Sequence, residues 1–134
     1  MSTDNLAAFQ LDLSNFAKVV VPQAHAAVVK KISFELLTRI VQKTPVDTGR
    51  ARANWSVSLG APSGAQAETF DKDGGATIAT GLQGITAADP ARQVVWLENN
   101  LPYIEALEDG HSSQAPVGMV EGSLNEIQTF INQL

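Results

Sequence analysis

Acidic residues and a histidine follow one another closely toward the C-terminal end of the chain. Glu105, Glu108, Asp109 and His111 form the combination best suited to acid–base catalysis or to holding a metal ion. Glu105 and Glu108 are three residues apart, so they would share one face of a helix. The other histidine, His25, lies far away in the sequence, and neither an HExxH pattern nor two histidines at ligand spacing occur. A solvated loop is the simpler interpretation, and a hydrolase that uses Glu105, Glu108 and His111 is one functional hypothesis.

Two arginines, Arg50 and Arg52, are suited to grip a phosphate or a carboxylate. Equally, they are suited to pair with acids inside the fold or across a subunit boundary. The glycine-rich segments 73–75 and 81–84 lack the lysine and the strand–loop–helix order of a phosphate loop, and no GxSxG elbow is present. Because Arg50 and Arg52 could form an anion site together with the sheet, a small anion- or ligand-binding regulatory module is a second hypothesis.

Composition favours one domain over residues 1–134, because this length can bury a modest core. The chain has no cysteine, which excludes disulfides, thiolate metal sites and thiol nucleophiles. Its apolar runs are too short to cross a bilayer, and its first residues lack the basic start of a signal peptide, so we expect it to remain in the cytoplasm where it is made.

Charge is divided unevenly along the chain, whose net charge is −5. Residues 1–55 carry seven basic and four acidic side chains, a balance of +3, whereas residues 56–134 carry two basic and ten acidic side chains, a balance of −8. The negative total argues against general nucleic-acid binding. The asymmetry fits either a ring in which a basic face meets an acidic face of the next copy, or an unevenly charged solvated surface.

Hydrophobic periodicity predicts an α+β domain with a long N-terminal helix and a small antiparallel sheet, on which a short helix and the C-terminal helix pack. Apolar residues recur every four positions from Val28 to Ile40, and Pro45 ends that helix at Thr44. The predicted helices are 11–21, 22–43, a short one capped by Asp47 or Thr48, 102–107 and 119–134. Pro22 either opens the second of these or kinks one continuous helix. The predicted strands are 55–59, 76–80 and 93–98; residues 1–10 are expected to form a mobile arm, 60–75 a flexible loop and 81–90 a second loop.

Two stretches together resemble a known family. They read KTPVDTGRARANW over 43–55 and ENNLPYIEALEDG over 98–110, followed by APVGMV over 115–120. In this order and spacing they resemble the tail-component family of tailed bacteriophages and prophages, also described as neck, head–tail joining, tail-completion or minor tail proteins. Ala51, Asn54 and Ile104 stand where that family often has leucine, serine and alanine.

The resemblance implies a structural virion protein of the neck or tail, assembled in the cytoplasm of the host bacterium, with no enzymatic activity and no cofactor or metal. It implies a homo-oligomeric ring, with sixfold symmetry, between a head-completion or adaptor protein and the tail tube or tail terminator. DNA would pass through the lumen without sequence-specific binding, and an acidic second half facing the lumen would repel it. No membrane would be involved. The residues we expect at inter-subunit or docking contacts are Arg50, Arg52, Glu98, Tyr103, Glu105 and Glu108.

Overall fold

The computed structural model describes residues 9–21, 25–46, 48–108 and 118–133. Over these ranges the chain forms a three-stranded antiparallel sheet and six helices, which confirms the α+β class. The elements are β1 (Phe9–Asp12), α1 (Leu13–Val20), α2 (Ala26–Lys43), α3 (Arg50–Ala53), β2 (Ser56–Leu59), α4 (Gly75–Ala87), β3 (Val95–Asn99), α5 (Ile104–Glu108) and α6 (Met119–Asn132). Within the described ranges, none of the helices combines the length and the apolar character that crossing a membrane requires.

Strand β3 is the middle strand of the sheet and pairs with both β1 and β2. Leu97 lies opposite Leu11 on one side and opposite Val57 on the other. Successive side chains of a strand point to opposite faces. Val95 and Leu97 therefore belong to an inner face that joins the apolar core, whereas Trp96 and Glu98 belong to an outer face.

The helices bury the inner face. Helix α1 lies against β3, α4 lies against β2, and α2 packs along α1, α4 and α6. The central side chains of α2 are fully buried and meet the sheet residues in one apolar cluster that includes Leu36, Leu37, Ile40, Val41, Trp55, Ile85, Val95, Leu97, Ile104, Met119 and Val120. Helix α6 joins this core through its first turn and otherwise packs along α2.

The C-terminal end of α2 is fastened to the start of β2. Thr44 leaves the helical conformation, as a residue before proline does, with ψ at 126°. Its Oγ1 donates to the carbonyl of Ile40 at 2.7 Å and accepts from Trp55 Nε1 at 2.8 Å. Both groups are buried, so the bond fixes where the strand begins relative to the helix.

The predicted strand over 76–80 is wrong, and the predicted loop over 81–90 is wrong as far as Ala87, because Gly75–Ala87 form helix α4. Residues 88–90 contain neither helix nor strand, as predicted. Alternation of alanine and threonine with Ile78 imitates a strand, but the buried residues are Thr77, Gly81 and Ile85, which are four apart. An added Cβ at Gly81 would lie 2.4 Å from Leu37, so the small residue allows α4 to approach α2 closely.

The third strand instead comes from the start of the described chain. Phe9 and Gln10 belong to β1, so the predicted arm over 1–10 is wrong at its end, and residues 1–8 lie outside the described residues. The helix predicted from Leu11 begins two residues later, because Asp12 accepts from Asn15 N at 2.8 Å and caps it there. The structure confirms, with shifted ends, the predicted helices 22–43, 102–107 and 119–134 and the predicted strands 55–59 and 93–98. Outside the described residues lie Pro22, Asp109, Gly110 and His111.

Candidate functional site on the outer face of the sheet

The segment that follows β2 covers part of the outer face. Residues 60–74 contain neither helix nor strand, as expected for the predicted 60–75 loop. We call residues 61–70 the strap. Beneath it lie four polar side chains, which we call the seat: Asn54, Ser58, Glu98 and Asn100.

Glu98 is the centre of the seat, with none of its surface exposed. Its carboxylate accepts hydrogen bonds from the amides of Ser63 at 2.8 Å and Gly64 at 3.0 Å, from Asn100 Nδ2 at 2.8 Å, and from the hydroxyl of Ser58. Burial by itself would raise the pKa of Glu98, but these four donors outweigh it and hold the pKa below its usual value. The buried group is therefore a carboxylate satisfied by neutral donors.

The two amides of the seat hold the rest of the strap. Asn54 Oδ1 accepts from Ala67 N at 2.7 Å, and its Nδ2 donates to the carbonyls of Ala67 at 3.0 Å and Arg50 at 2.9 Å. Asn100 Nδ2 also donates to the carbonyl of Ala65 at 2.9 Å. At the rim, Arg50 Nη2 pairs with Glu68 at 2.7 Å. The seat therefore binds the main chain of the strap, and Arg50–Glu68 is a solvated addition.

Asp71 anchors the far end of the strap to α4. Its carboxylate accepts from the hydroxyl of Thr77 at 2.7 Å and from the amides of Thr77 at 2.9 Å and Gly74 at 3.1 Å. The Thr77 hydroxyl is the largest cause that keeps the pKa of Asp71 below its usual value. The amide of Asp71 donates to the carbonyl of Gly49 at 3.0 Å, and a Cβ at Gly49 would lie 2.8 Å from that amide nitrogen. Gly49 also has φ of 92°, so the glycine of the TPVDTG segment is required by both space and conformation.

Arg52 binds main-chain carbonyls of its own chain. Its Nε donates to the carbonyl of Thr44 at 2.9 Å, Nη2 to Gln42 at 2.8 Å and Nη1 to Lys72 at 2.6 Å. The first two carbonyls belong to the C-terminal end of α2, where a cation is favourable. Three of its five N–H donors therefore bind main-chain carbonyls of the same chain.

Glu108 closes the N-terminal end of α6. Its carboxylate accepts from the amides of Val120 at 2.8 Å and Glu121 at 3.0 Å, so it satisfies two donors that a helix leaves free. A Cβ at Gly118 would lie 2.4 Å from the carbonyl oxygen of Glu108, which explains the glycine before Met119. The role is structural, and it occupies the carboxylate that the hydrolase hypothesis needs.

The structure places the six predicted contact residues in three settings. Arg52, Glu98 and Glu108 hold main-chain groups of the same chain, and Arg50 lies at the rim of the strap. Two residues are exposed: Tyr103, just before α5, and Glu105, on α5. Contact with another subunit stays a prediction for all six. Over the described ranges, no group of three or more histidine or acidic side chains could hold a metal ion, and both Asp109 and His111 lie outside those ranges.

Sequence reasoning missed Asn54, Ser58 and Asn100 as members of one site. Asn54 was visible only as a departure from the family pattern, in which serine is common. In this chain the carboxamide of Asn54 binds both the amide and the carbonyl of Ala67.

A cleft of about 460 Å³ lies between β2 and α4, beside the last residues of the strap. Val57, Thr77 and Thr80 line it together with Phe70, which is 59% exposed. The cleft is open and mostly apolar, and no titratable cluster lines it.

Charge asymmetry is partly neutralised within the chain. Lys43 Nζ lies 2.5 Å and Arg39 Nε lies 3.5 Å from the carboxylate of Glu126 on α6. Over the described ranges, no ion pair involves Glu105 or Glu121. Both acids are exposed, Glu105 on α5 and Glu121 in the first turn of α6.

Among known proteins, no family model, no curated protein and no solved structure matches the chain. Its function is therefore argued from its own residues and contacts.

Proposed function

We propose that the chain is a structural virion protein of a tailed phage, a neck or tail-completion component that joins the head connector to the tail tube by assembling into a ring. The observation that carries this proposal is the convergence of the two stretches that resemble the tail-component family. Asn99 Nδ2 of the second stretch donates to the carbonyl of Ala51 in the first at 3.0 Å, and Asn54 and Glu98 hold the same strap. The polar side chains of both stretches build one scaffold.

A scaffold needs surfaces for its partners, and the chain has exposed apolar side chains of the right kind. Phe70 and Tyr103 are 59% and 40% exposed, and Leu59 and Leu82 also exceed one third. Aromatic side chains are favoured anchors of protein interfaces because they bury a large area with few rotatable bonds. We propose that Tyr103 and Phe70 lie at contacts with neighbouring copies or with the adjacent neck proteins.

The exposed carboxylates of Glu105 and Glu121 support a second part of the proposal. Carboxylates that face the lumen of a ring would repel the phosphate backbone, so DNA would pass without adhering. Salt-sensitive binding of duplex DNA to the assembled protein would contradict this part and leave the joining role intact.

The direct experiment is an early stop codon in this gene within its phage or prophage, followed by induction and negative-stain electron microscopy of the lysate. We expect DNA-filled heads separate from tails, and rescue when the wild-type protein is supplied. Unfinished or abnormally long tails would move the assignment to tail termination. Normal infectious virions would overturn the proposal.

The same complementation assay tests the exposed anchors. Tyr103→Ala and Phe70→Ala should lower the titre of rescued phage, whereas the control Gln83→Ala, on the exposed side of α4, should rescue fully. Equal rescue by all three folded variants would mean that neither aromatic side chain makes a docking contact.

A further inference from the structure

The strap is attached to the domain by hydrogen bonds and not by buried side chains. None of residues 61–70 is buried, and only Pro62 and Ala67 are half-buried. The strap therefore contributes no side chain to the apolar core, and hydrophobic burial does not hold it in place. What holds it is the set of hydrogen bonds to the seat.

These hydrogen bonds join side chains of the seat to main-chain groups of the strap. Glu98 accepts the amides of residues 63 and 64, Asn100 donates to the carbonyl of residue 65, and Asn54 binds both main-chain groups of residue 67. When the strap lifts, each can be replaced by a hydrogen bond to water, so its loss leaves no main-chain group unsatisfied. Opening would also return the carboxylate of Glu98 to water, which can replace the four donors that it has in the seat.

Both ends of the strap are fixed independently of the seat. On one side, Gly60 N donates to the carbonyl of Val94 at 2.8 Å and continues the pairing of β2 with β3. On the other side, Asp71 is bound to α4 and to Gly49. The strap can therefore leave the seat while both anchors and the whole core stay in place.

We propose that the strap is a latch that detaches from the seat as one unit while the rest of the domain remains folded. The closed state buries Glu98. The open state uncovers the seat and the part of the outer face that the strap covers. This inference does not depend on the assembly role, because it concerns the free protein.

Amide hydrogen exchange, followed residue by residue by NMR, tests the latch directly. Three amides report on it: Ser63 and Gly64, bound to Glu98, and Ala67, bound to Asn54. Local opening exposes little surface, so we expect all three to exchange at rates independent of low urea concentrations and with equal protection. The buried amide of Leu97 in β3 should be protected at least about a hundredfold better, because it exchanges only through larger unfolding.

Variants at opposite ends of the seat test whether the strap moves as a unit. Asn54→Ala removes the contacts of residue 67, and we expect it to accelerate exchange at Ser63 and Gly64 by about tenfold, the effect of losing one or two hydrogen bonds. Glu98→Gln should accelerate exchange at Ala67 to a similar degree. The control Ser56→Ala, exposed on the same face of β2, should change neither.

Two results would overturn the latch. Acceleration confined to the amides next to each substitution would mean that the strap frays piece by piece. Protection of the three amides equal to that of Leu97, with the same urea dependence, would mean that the strap opens only when the domain unfolds. If Glu98→Gln fails to fold, Asn54→Ala and the wild-type urea dependence decide the question alone.

Discussion

The two faces of strand β3 are stabilised in different ways, and Leu97 and Glu98 show this on neighbouring residues. Both side chains are fully buried. Leu97 packs in the apolar core beneath the helices, where stability follows the area removed from water. Glu98 is buried by a segment that contributes no buried side chain, and its environment is a set of directed hydrogen bonds. The inner face stabilises the fold as a whole, whereas the outer face holds only the strap.

The largest expected effect is on the inner face. Leu97→Ala should lower the free energy of unfolding by about 2–5 kcal/mol, because it removes a core side chain and leaves a cavity. Urea denaturation followed by far-UV circular dichroism measures this. If Leu97→Ala were no more destabilising than Ser56→Ala, the inner face would not be the main source of stability.

An intermediate effect is expected where polar groups brace the core. Arg52→Ala leaves the carbonyls of Gln42 and Thr44 at the end of α2 without their partner, and we expect a loss of about 1–3 kcal/mol. Arg50→Ala is the matched comparison, because its pair with Glu68, a residue 82% exposed, is worth little. Equal losses in the same urea titration would contradict the bracing role of Arg52.

Lowering the pH should weaken the hydrogen bonds of the Glu98 and Asp71 carboxylates, whereas the apolar core, over the described ranges, contains no group that titrates. The pKa values of Glu98 and Asp71 are lowered from their usual 4.5 and 3.8, so both favour the folded state when ionised. Their contribution is fully present above the usual values and is lost as the pH falls through the lowered ones. We expect a smaller loss of stability between pH 5 and pH 2 in Glu98→Gln than in wild type, measured by thermal unfolding across this pH range. Glu105→Gln, an exposed carboxylate, is the control, and identical profiles for all three proteins would contradict the prediction.

The smallest effect is expected between α2 and α6. Lys43→Gln breaks a surface pair with Glu126, whose side chain is half exposed, and should cost less than about 1 kcal/mol. The loss should shrink further at 1 M salt, where exposed charges are screened. A cost as large as that of Leu97→Ala would show that ion pairs, rather than apolar packing, hold α6 on α2.

How much could be predicted from sequence depended on how local the signal was. Helix α2 has an apolar stripe four residues apart and a proline after its end, and both features act within one element, so its prediction is confirmed. Helix α4 carries alanine, threonine and glycine where a helix usually shows large apolar residues. Its helical state depends on Gly81 meeting Leu37 of α2, a contact that no local pattern displays. Strand β1 is four residues long and exists because β3 offers it an edge.

The candidate site divides in the same way. The family-like stretches singled out Arg50, Arg52, Glu98 and Glu108, and the structure uses all four in polar contacts. The sequence did not predict that Glu98 and Asn54, 44 positions apart, would hold the same segment. It also did not predict that Arg52 would donate to carbonyls at the end of α2.

By itself, the amino-acid sequence determined the class of the fold, the long amphipathic helix, the middle strand β3 and the edge strand β2. These depend on periodicity, on proline and on backbone conformation, which are properties of adjacent residues. Tertiary structure alone decided the third strand, helix α4 and the seat of the strap. Each of these depends on a partner distant in the chain, because a buried carboxylate, an edge strand and a glycine-lined helix are stable only when that partner is present.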